Sequence, residues 1–199
     1  MSYPIPFFCL TKKKYKIMPC DISTGRTEAC KESVGGLRNI YIGNFSSLLY
    51  FDATSNMDAE EQVTALTSPL TVYKFELRGD NNTFEETNEN SRDNGTSFWT
   101  QTGTIALKKQ DAATQKALKL LSYGRPHILI EDYNGNFRLA GAQNGVEVSV
   151  GTATGGAMGD LNGYNITFEG KEKEPAFFVA TNAVGIGADF DVSTTVINP

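Results

Sequence analysis

The side chains that could do chemistry are few and scattered. His127 is the only histidine in 199 residues, and its surroundings, HILIED, predict a strand on which it is satisfied or exposed. No serine or cysteine fits the strand-to-helix pattern of a nucleophile elbow. The Gly-rich stretch GTATGGAMG at 151–159 lacks the Lys-Ser/Thr ending of a phosphate-binding loop and precedes no predicted helix. The sequence therefore predicts that this protein is not an enzyme.

Two pairs of adjacent carboxylates, Glu85-Glu86 and Glu131-Asp132, are the remaining candidates for acid/base chemistry. Neighbouring side chains on a strand point to opposite faces, so neither pair forms a dyad by itself. A glycosidase instead needs two carboxylates facing each other across a cleft. That arrangement stays open for a β-sandwich.

The three cysteines, Cys9, Cys20 and Cys30, predict free thiols in a reducing compartment. The apolar run Ile5 to Leu10 precedes the lysines at 12–14 and 16, which is the reverse of an export signal. Cys20 and Cys30 could pair or share a metal, but one histidine leaves a zinc site short of ligands. We predict no metal and no other cofactor. The apolar stretches also fall short of the roughly 18–20 residues that a membrane helix needs.

The chain is acidic, with a formal net charge of −5. Proteins that grip nucleic acid through its phosphates carry the opposite sign. The exception is a surface past which DNA must slide without sticking. The basic run at 12–16, which contains Tyr15, could touch nucleic acid, although a solvated arm is the plainer interpretation.

The length predicts one domain with appendages. Residues 1–19 are interpreted as a flexible or extraneous extension, with Met18 a possible translation start. Residues 20–179 form the predicted domain, and 180–199 are predicted to be an extended C-terminal tail.

Alternating apolar and polar residues predict antiparallel strands separated by Asn-Gly and Gly-rich turns. Short strands are predicted within 37–49, and a short helix capped by Ser55 or Asp58 is an option up to Leu66. The other predicted strands cover 71–77, 83–89, 96–109, 127–132, 137–140, 146–150, 164–169 and 177–179.

One longer helix is predicted over 112–123, with Asp111 as its N-cap and Gly124 and Pro126 as its stop. Its apolar stripe should pack on a sheet. That stripe is formed by Ala113, Ala117, Leu118 and Leu121.

The hairpin formed by 83–89 and 96–109 has a distinctive pattern. One face of its second arm carries Trp99, Gln101, Gly103, Ile105 and Leu107. The opposite face is a threonine ladder, which suits water or a wet cavity. It is formed by Phe98, Thr100, Thr102, Thr104 and Ala106.

Several segments resemble virion structural proteins from phages of Bacteroidota. They are NNTFEETNENSRDNGTSFWTQTGTIALKK, QKALKLLSYGRP, HILIEDYNGNFRLAG, AMGDLNGYNITFEGKEKEPA and the opening CDISTGRTEACKESVGGL. The resemblance covers roughly residues 20–179 and leaves 1–17 outside the pattern. The order of elements also resembles the tail tube fold of long-tailed phages and contractile injection systems.

The resemblance implies a mainly β fold, a β-sandwich or small barrel of antiparallel strands with one flanking helix. It further implies hexameric rings that stack into a tube, with one sheet of each subunit joining a barrel around the lumen. DNA would pass through without specific binding, and other tail proteins would be partners. The implied location is the virion tail, assembled in the host bacterial cytoplasm.

Patterning then supplies candidates for the two kinds of surface. An acidic, polar wall repels DNA by like charge, and the candidate lumen-facing residues are Glu85, Glu86, Glu89, Thr100, Thr102 and Thr104. The candidate subunit-interface residues are Phe98, Trp99, Tyr133 and Met158.

Two alternatives remain from the sequence. One is another virion role, such as head decoration, tail completion or tail termination. The other is a β-sandwich that binds glycans through Tyr133, Phe98 and Trp99.

Overall fold

The computed structural model describes residues 24–28, 30–195 and 197, and the chain divides into two units between Glu32 and Ser33. The described part of the first unit, 24–28 and 30–32, is exposed and contains no helix or strand. The second unit holds every element described below. The compact unit therefore begins later than the predicted domain start at residue 20, whereas the predicted extension at 1–19 lies outside the described residues.

The described elements are mainly strands, which confirms the predicted fold class. The strands are β1 Leu37–Gly43, β2 Leu70–Glu76, β3 Thr83–Ser91, β4 Thr96–Lys108, β5 His127–Asp132, β6 Phe137–Ala140, β7 Glu147–Ala153, β8 Gly163–Glu172, β9 Phe177–Val179, β10 Val184–Gly185 and β11 Phe190–Val192. The helices are α1 Leu49–Ser55 and α2 Ala112–Leu121.

The strands form two sheets. Sheet A has the order β10-β11-β2-β1-β5-β6-β9, and sheet B has the order β3-β4-β8-β7. Sheet B is antiparallel throughout, whereas β11 joins β2 and β10 in parallel. The predicted hairpin is confirmed as β3 and β4, paired from Thr83 opposite Thr104 to Ser91 opposite Thr96.

Three layers follow from where the apolar side chains lie. The core between the sheets contains Ile40 and Ile128 from sheet A and Ile105 and Ile166 from sheet B. A second core covers the other face of sheet A, where its buried side chains meet α1 and the segment that follows it. Its members include Tyr41, Leu129, Leu139, Leu49, Ala53 and Val63. The central strands of sheet A, β1, β5 and β6, are therefore buried on both faces, whereas sheet B is buried on one.

A glycine on β4 lets two aromatic rings close over the strand. Gly103 pairs with Phe84 on one side and Phe168 on the other, and these two rings stack with centroids 6.2 Å apart. A Cβ at Gly103 would come within 2.2 Å of the Phe168 ring. Glycine in a strand interior often marks such a close approach.

Helix α2 confirms most of its prediction. Asp111 accepts hydrogen bonds from the backbone N–H of Ala113 (2.8 Å) and Thr114 (3.0 Å), which makes it the N-cap. The predicted stripe is wrong at Ala113, which is exposed, while Thr114 is buried in its place. Leu118 anchors the helix in the core, and the residue one turn before it, Thr114, shares its face.

The optional helix from Ser55 or Asp58 to Leu66 is wrong, because α1 lies earlier, at Leu49–Ser55. Asp58 Oδ1 accepts from the N–H of Glu60 (3.1 Å) and Gln62 (2.8 Å), so it closes a turn instead of capping a helix. Val63 is fully buried and bridges to Val179 at the edge of sheet A. The bridge between Val63 and Val179 therefore determines the conformation of this segment, although its apolar residues are spaced as in a helix.

The predicted extended tail over 180–199 is also wrong within its described part. A 3-10 turn at Thr181–Ala183 leads into β10 and β11. Phe190 is fully buried, and β11 runs beside β2 with Phe190 opposite Leu70. Burial of one aromatic side chain and pairing with an open strand edge order a segment of otherwise small and polar residues.

Candidate assembly surface

Sheet B has one face that points away from sheet A, which we call its wet face. This face contains most of the predicted lumen residues. Residues directly opposite on neighbouring strands share a face, and Glu85 lies opposite Thr102 while Glu89 lies opposite Phe98. Thr100 donates its hydroxyl to Glu89 Oε1 at 2.6 Å, on the same face. Thr104 is exposed, and Thr100 and Thr102 are half-buried by their neighbours. The threonine ladder, Glu85 and Glu89 therefore form one surface.

Strands β7 and β8 extend this surface with residues that the sequence analysis missed. A single row across the sheet runs through Glu85, Thr102, Glu169 and Glu147. Lys171 Nζ lies 3.4 Å from Glu169 Oε1 and partly offsets the charge. The wet face holds four glutamates, at 85, 89, 147 and 169, against lysines at 108 and 171. Only the pairing of distant segments reveals this negative face.

Glu86 does not belong to this face, so its grouping with Glu85 and Glu89 on one surface is wrong. Glu86 lies opposite Gln101, on the face that meets sheet A. Its Oε1 accepts hydrogen bonds from Gln101 Nε2 (3.2 Å) and the Ala176 N–H (2.5 Å). Gln101, 1% exposed, accepts from the Gly141 N–H at 2.9 Å. Strand alternation already separates Glu86 from its neighbours, and the structure makes it a polar link between the sheets.

The two sheets differ in their edges. At the β9 edge of sheet A, the Val63 N–H donates to Phe178 O and the Ala180 N–H donates to Val63 O, both at 2.8 Å. Within the described residues, neither β3 nor β7 pairs with a strand on its outer side. An unpaired edge of seven to nine residues presents a row of N–H and C=O groups to another chain.

The four predicted interface residues lie in three places: strand β4, the β5–β6 turn and the β7–β8 loop. Phe98 and Trp99 are half-buried on opposite faces of β4. Tyr133 is 46% exposed in the β5–β6 turn, with its ring against Gly36. Met158, in the loop between β7 and β8, is fully exposed. Of the four, Met158 alone has its whole side chain available to a neighbour.

His127 is a satisfied core residue, in line with its interpretation from sequence. Its Nδ1 lies 2.6 Å from Gly141 O, and its Nε2 accepts from the Ser46 N–H at 2.9 Å, so Nδ1 carries the proton in the neutral tautomer. Its ring stacks on Phe45 with centroids 5.1 Å apart, and the Arg125 guanidinium lies 4.0 Å from the Phe45 centroid. Burial lowers the pKa of His127.

The carboxylates of Glu131 and Asp132 have separate structural partners. Glu131 Oε2 accepts from Asn39 Nδ2 and Tyr41 Oη, both at 2.7 Å. Burial, with the Glu131 carboxylate beside it, raises the pKa of Tyr41. Asp132 accepts from the N–H and side-chain amide of Asn136 at 2.8 and 2.9 Å. Glu131 therefore links β5 to β1, whereas Asp132 stabilises the β5–β6 turn.

Three further observations delimit the site. Within the described residues, no group of three His, Cys, Asp or Glu side chains is arranged to hold a metal ion. No helix in this part of the chain combines the length and apolar character needed to cross a membrane. Comparison with protein-family models, curated proteins and solved structures finds no match to this chain.

Proposed function

We propose that this protein is a self-assembling virion subunit that repeats in the tail tube of a phage and forms a conduit for DNA. The observation that carries the proposal is a polar, negative sheet face bounded by two strand edges that have no partner strand among the described residues. The proposed role is mechanical and uses no cofactor.

The direction of the strands suits closure into a ring. The four strands of sheet B alternate in direction, so β3 and β7 run opposite ways. A neighbour related by rotation presents its β7 antiparallel to β3 of the first copy. Such a head-to-tail contact uses two different edges, and it generates a closed ring or a helical filament. Edge pairing would satisfy the free backbone groups of both strands.

The wet face then lines the lumen, because sheet A already covers the other face. A wall of threonines and glutamates offers DNA hydroxyl groups and like charge but few cations. Each phosphate contact that a basic wall would make strengthens binding and slows sliding. The composition of this face therefore supports passage without specific binding.

Assembly is the direct test. Residues 18–199 and the full chain should both be examined by light scattering and negative-stain electron microscopy. We expect rings or hollow tubes. A protein that stays monomeric at high concentration, and is missing from purified virions, would overturn the proposal.

Cross-linking tests which edges meet. In a background with the native cysteines replaced by serine, a Thr87→Cys chain on β3 is mixed with a Ser149→Cys chain on β7, and neighbouring wet-face positions sample the register. We expect disulfide-linked heterodimers to form. Asn94→Cys, in the β3–β4 turn, replaces Thr87→Cys as the control. Assembly with cross-links no more frequent than in the control would show that other surfaces join the subunits.

A further inference from the structure

We propose that Met158 of one copy inserts into the groove between α2 and β7 of a second copy. The proposal rests on the self-assembly argued above and names a contact beyond the strand edges. The contact requires two features, and this chain carries both. One is the exposed side chain of Met158, which we call the knob, and the other is an unfilled apolar groove.

The groove lies where α2 passes β7 and β8. Its floor is apolar and is formed by Leu118, Val150 and Tyr164. Its rim includes Lys119 and Ser122. The volume is about 210 Å³. An apolar floor in contact with solvent gains free energy when a side chain covers it.

The knob stands on a braced turn. Asp160 Oδ2 accepts from the N–H of Gly156 and of Ala157, both at 2.8 Å, and the Asp160 N–H donates to Ala157 O at 3.1 Å. The backbone hydrogen bonds hold the pKa of the Asp160 carboxyl below its usual range. Met158 lies between these contacts with its side chain in solvent. A turn already held in place loses little conformational entropy on binding.

Shape and charge both favour this pairing. Methionine is unbranched and flexible, so it fills an irregular groove without demanding one geometry. Asp160, close to the knob, is negative, and Lys119, on the rim of the groove, is positive. Opposite charges at the edge of an apolar contact orient the partners as they meet. Because Met158 is fully exposed, it does not fill the groove of its own chain.

A mixed cross-linking experiment tests the contact. In the serine background, Met158→Cys chains are mixed with Ser122→Cys chains and oxidised mildly. We expect heterodimers at least tenfold more abundant than in a mixture of Asp93→Cys and Ser122→Cys, because Asp93 lies in the exposed β3–β4 turn. Rings or tubes with cross-links at the Asp93 level would overturn the proposal and leave the proposed function intact.

Substitution supplies the energetic test on the full chain. Met158→Asp should raise the concentration needed for assembly about tenfold or more, because it removes a buried apolar side chain from each contact. Met158→Leu should stay close to the native protein. At concentrations too low for assembly, the melting temperature should be the same in all three, since Met158 is fully exposed within its own subunit. Equal assembly by the Asp and Leu variants would refute the contact, whereas loss of β3–β7 cross-links in the native protein would instead refute the edge pairing.

Discussion

Sheet A and sheet B are built from strands of the same period, but they stand in different surroundings. The central strands of sheet A are covered on both faces, and the Val63 bridge covers the outer side of its β9 edge. Sheet B has one wet face and two edges without a partner strand among the described residues. The comparison teaches that sheet A leaves only the two-residue strand β10 open at an edge, whereas sheet B leaves two edges of seven and nine residues with hydrogen-bonding groups for another chain to satisfy.

The largest expected effect comes from the centre of sheet A. Leu129→Ala should lower the free energy of unfolding by about 2–5 kcal/mol, because Leu129 is fully buried and the change leaves a cavity. Thr102→Ala, on the wet face of sheet B, should cost about 1 kcal/mol or less. Urea unfolding of both variants measures the difference. Equal losses of unfolding free energy in the two variants would contradict the difference in burial between the two sheets.

The link between the sheets should give the next largest effect. Gln101→Leu removes the acceptor of the Gly141 N–H and the donor to Glu86, and should cost about 1–3 kcal/mol. Thr100→Val, the adjacent position on the opposite face, is the matched control. A double-mutant cycle with Glu86→Gln should show coupling between the two side chains. Additive costs would mean that the link does not act as a unit.

Lowering the pH should reduce the free energy of unfolding through His127, which lies on β5 of sheet A. Burial lowers its folded-state pKa below the ordinary value of 6.5, so below pH 6.5 the unfolded chain binds more protons. Stability is complete above pH 6.5 and is lost as the pH falls towards the folded-state pKa, by at most about 1.4 kcal/mol per pH unit. Urea midpoints at pH 7.5, 6.5 and 5.5 measure this slope.

The control for this pH dependence is His127→Gln, which should flatten the slope although it lowers overall stability. Glu172 acts in the opposite direction, because burial raises its pKa above 4.5 and the folded state then binds the extra proton as the pH falls. The difference between the native and His127→Gln profiles isolates the histidine. Identical profiles would contradict the assignment.

The smallest effect concerns charge on the wet face. Glu147 lies directly opposite Glu169, so Glu147→Gln should stabilise the monomer by about 0.2–1 kcal/mol at low salt. The gain should shrink at high ionic strength as the charges are screened. Glu76→Gln is the control of opposite sign, since Glu76 lies 3.8 Å from Lys74 and 3.5 Å from Arg78. If Glu76→Gln instead stabilised the protein, neighbouring charges would not explain the effects of substitutions at positions 76 and 147.

Much of the fold was predictable because it depends on local patterns. Alternation located β3 to β9 to within a few residues, and Asp111 with the apolar spacing after it located α2. The threonine ladder was correctly placed on one face for the same reason. The errors at α1 and the C-terminal segment share one cause, since distant partners decide them.

The candidate site was only partly predictable. Glu85, Glu89 and the three threonines share a face, whereas Glu86 turns inwards to Gln101. The contribution of Glu147 and Glu169 to the same row depends on the pairing of β7 with β8 and of β8 with β4. No periodicity within one segment contains that information.

By itself, the sequence determined the strands up to β9, the capped helix, the acidic balance and the faces of those strands, since all of these depend on neighbours along the chain. Only the tertiary structure decided that sheet A lies between two cores, that Glu86 links the sheets, and that a groove opens beside α2. The reason is that burial and pairing join residues far apart in sequence, and their positions follow from packing the whole chain.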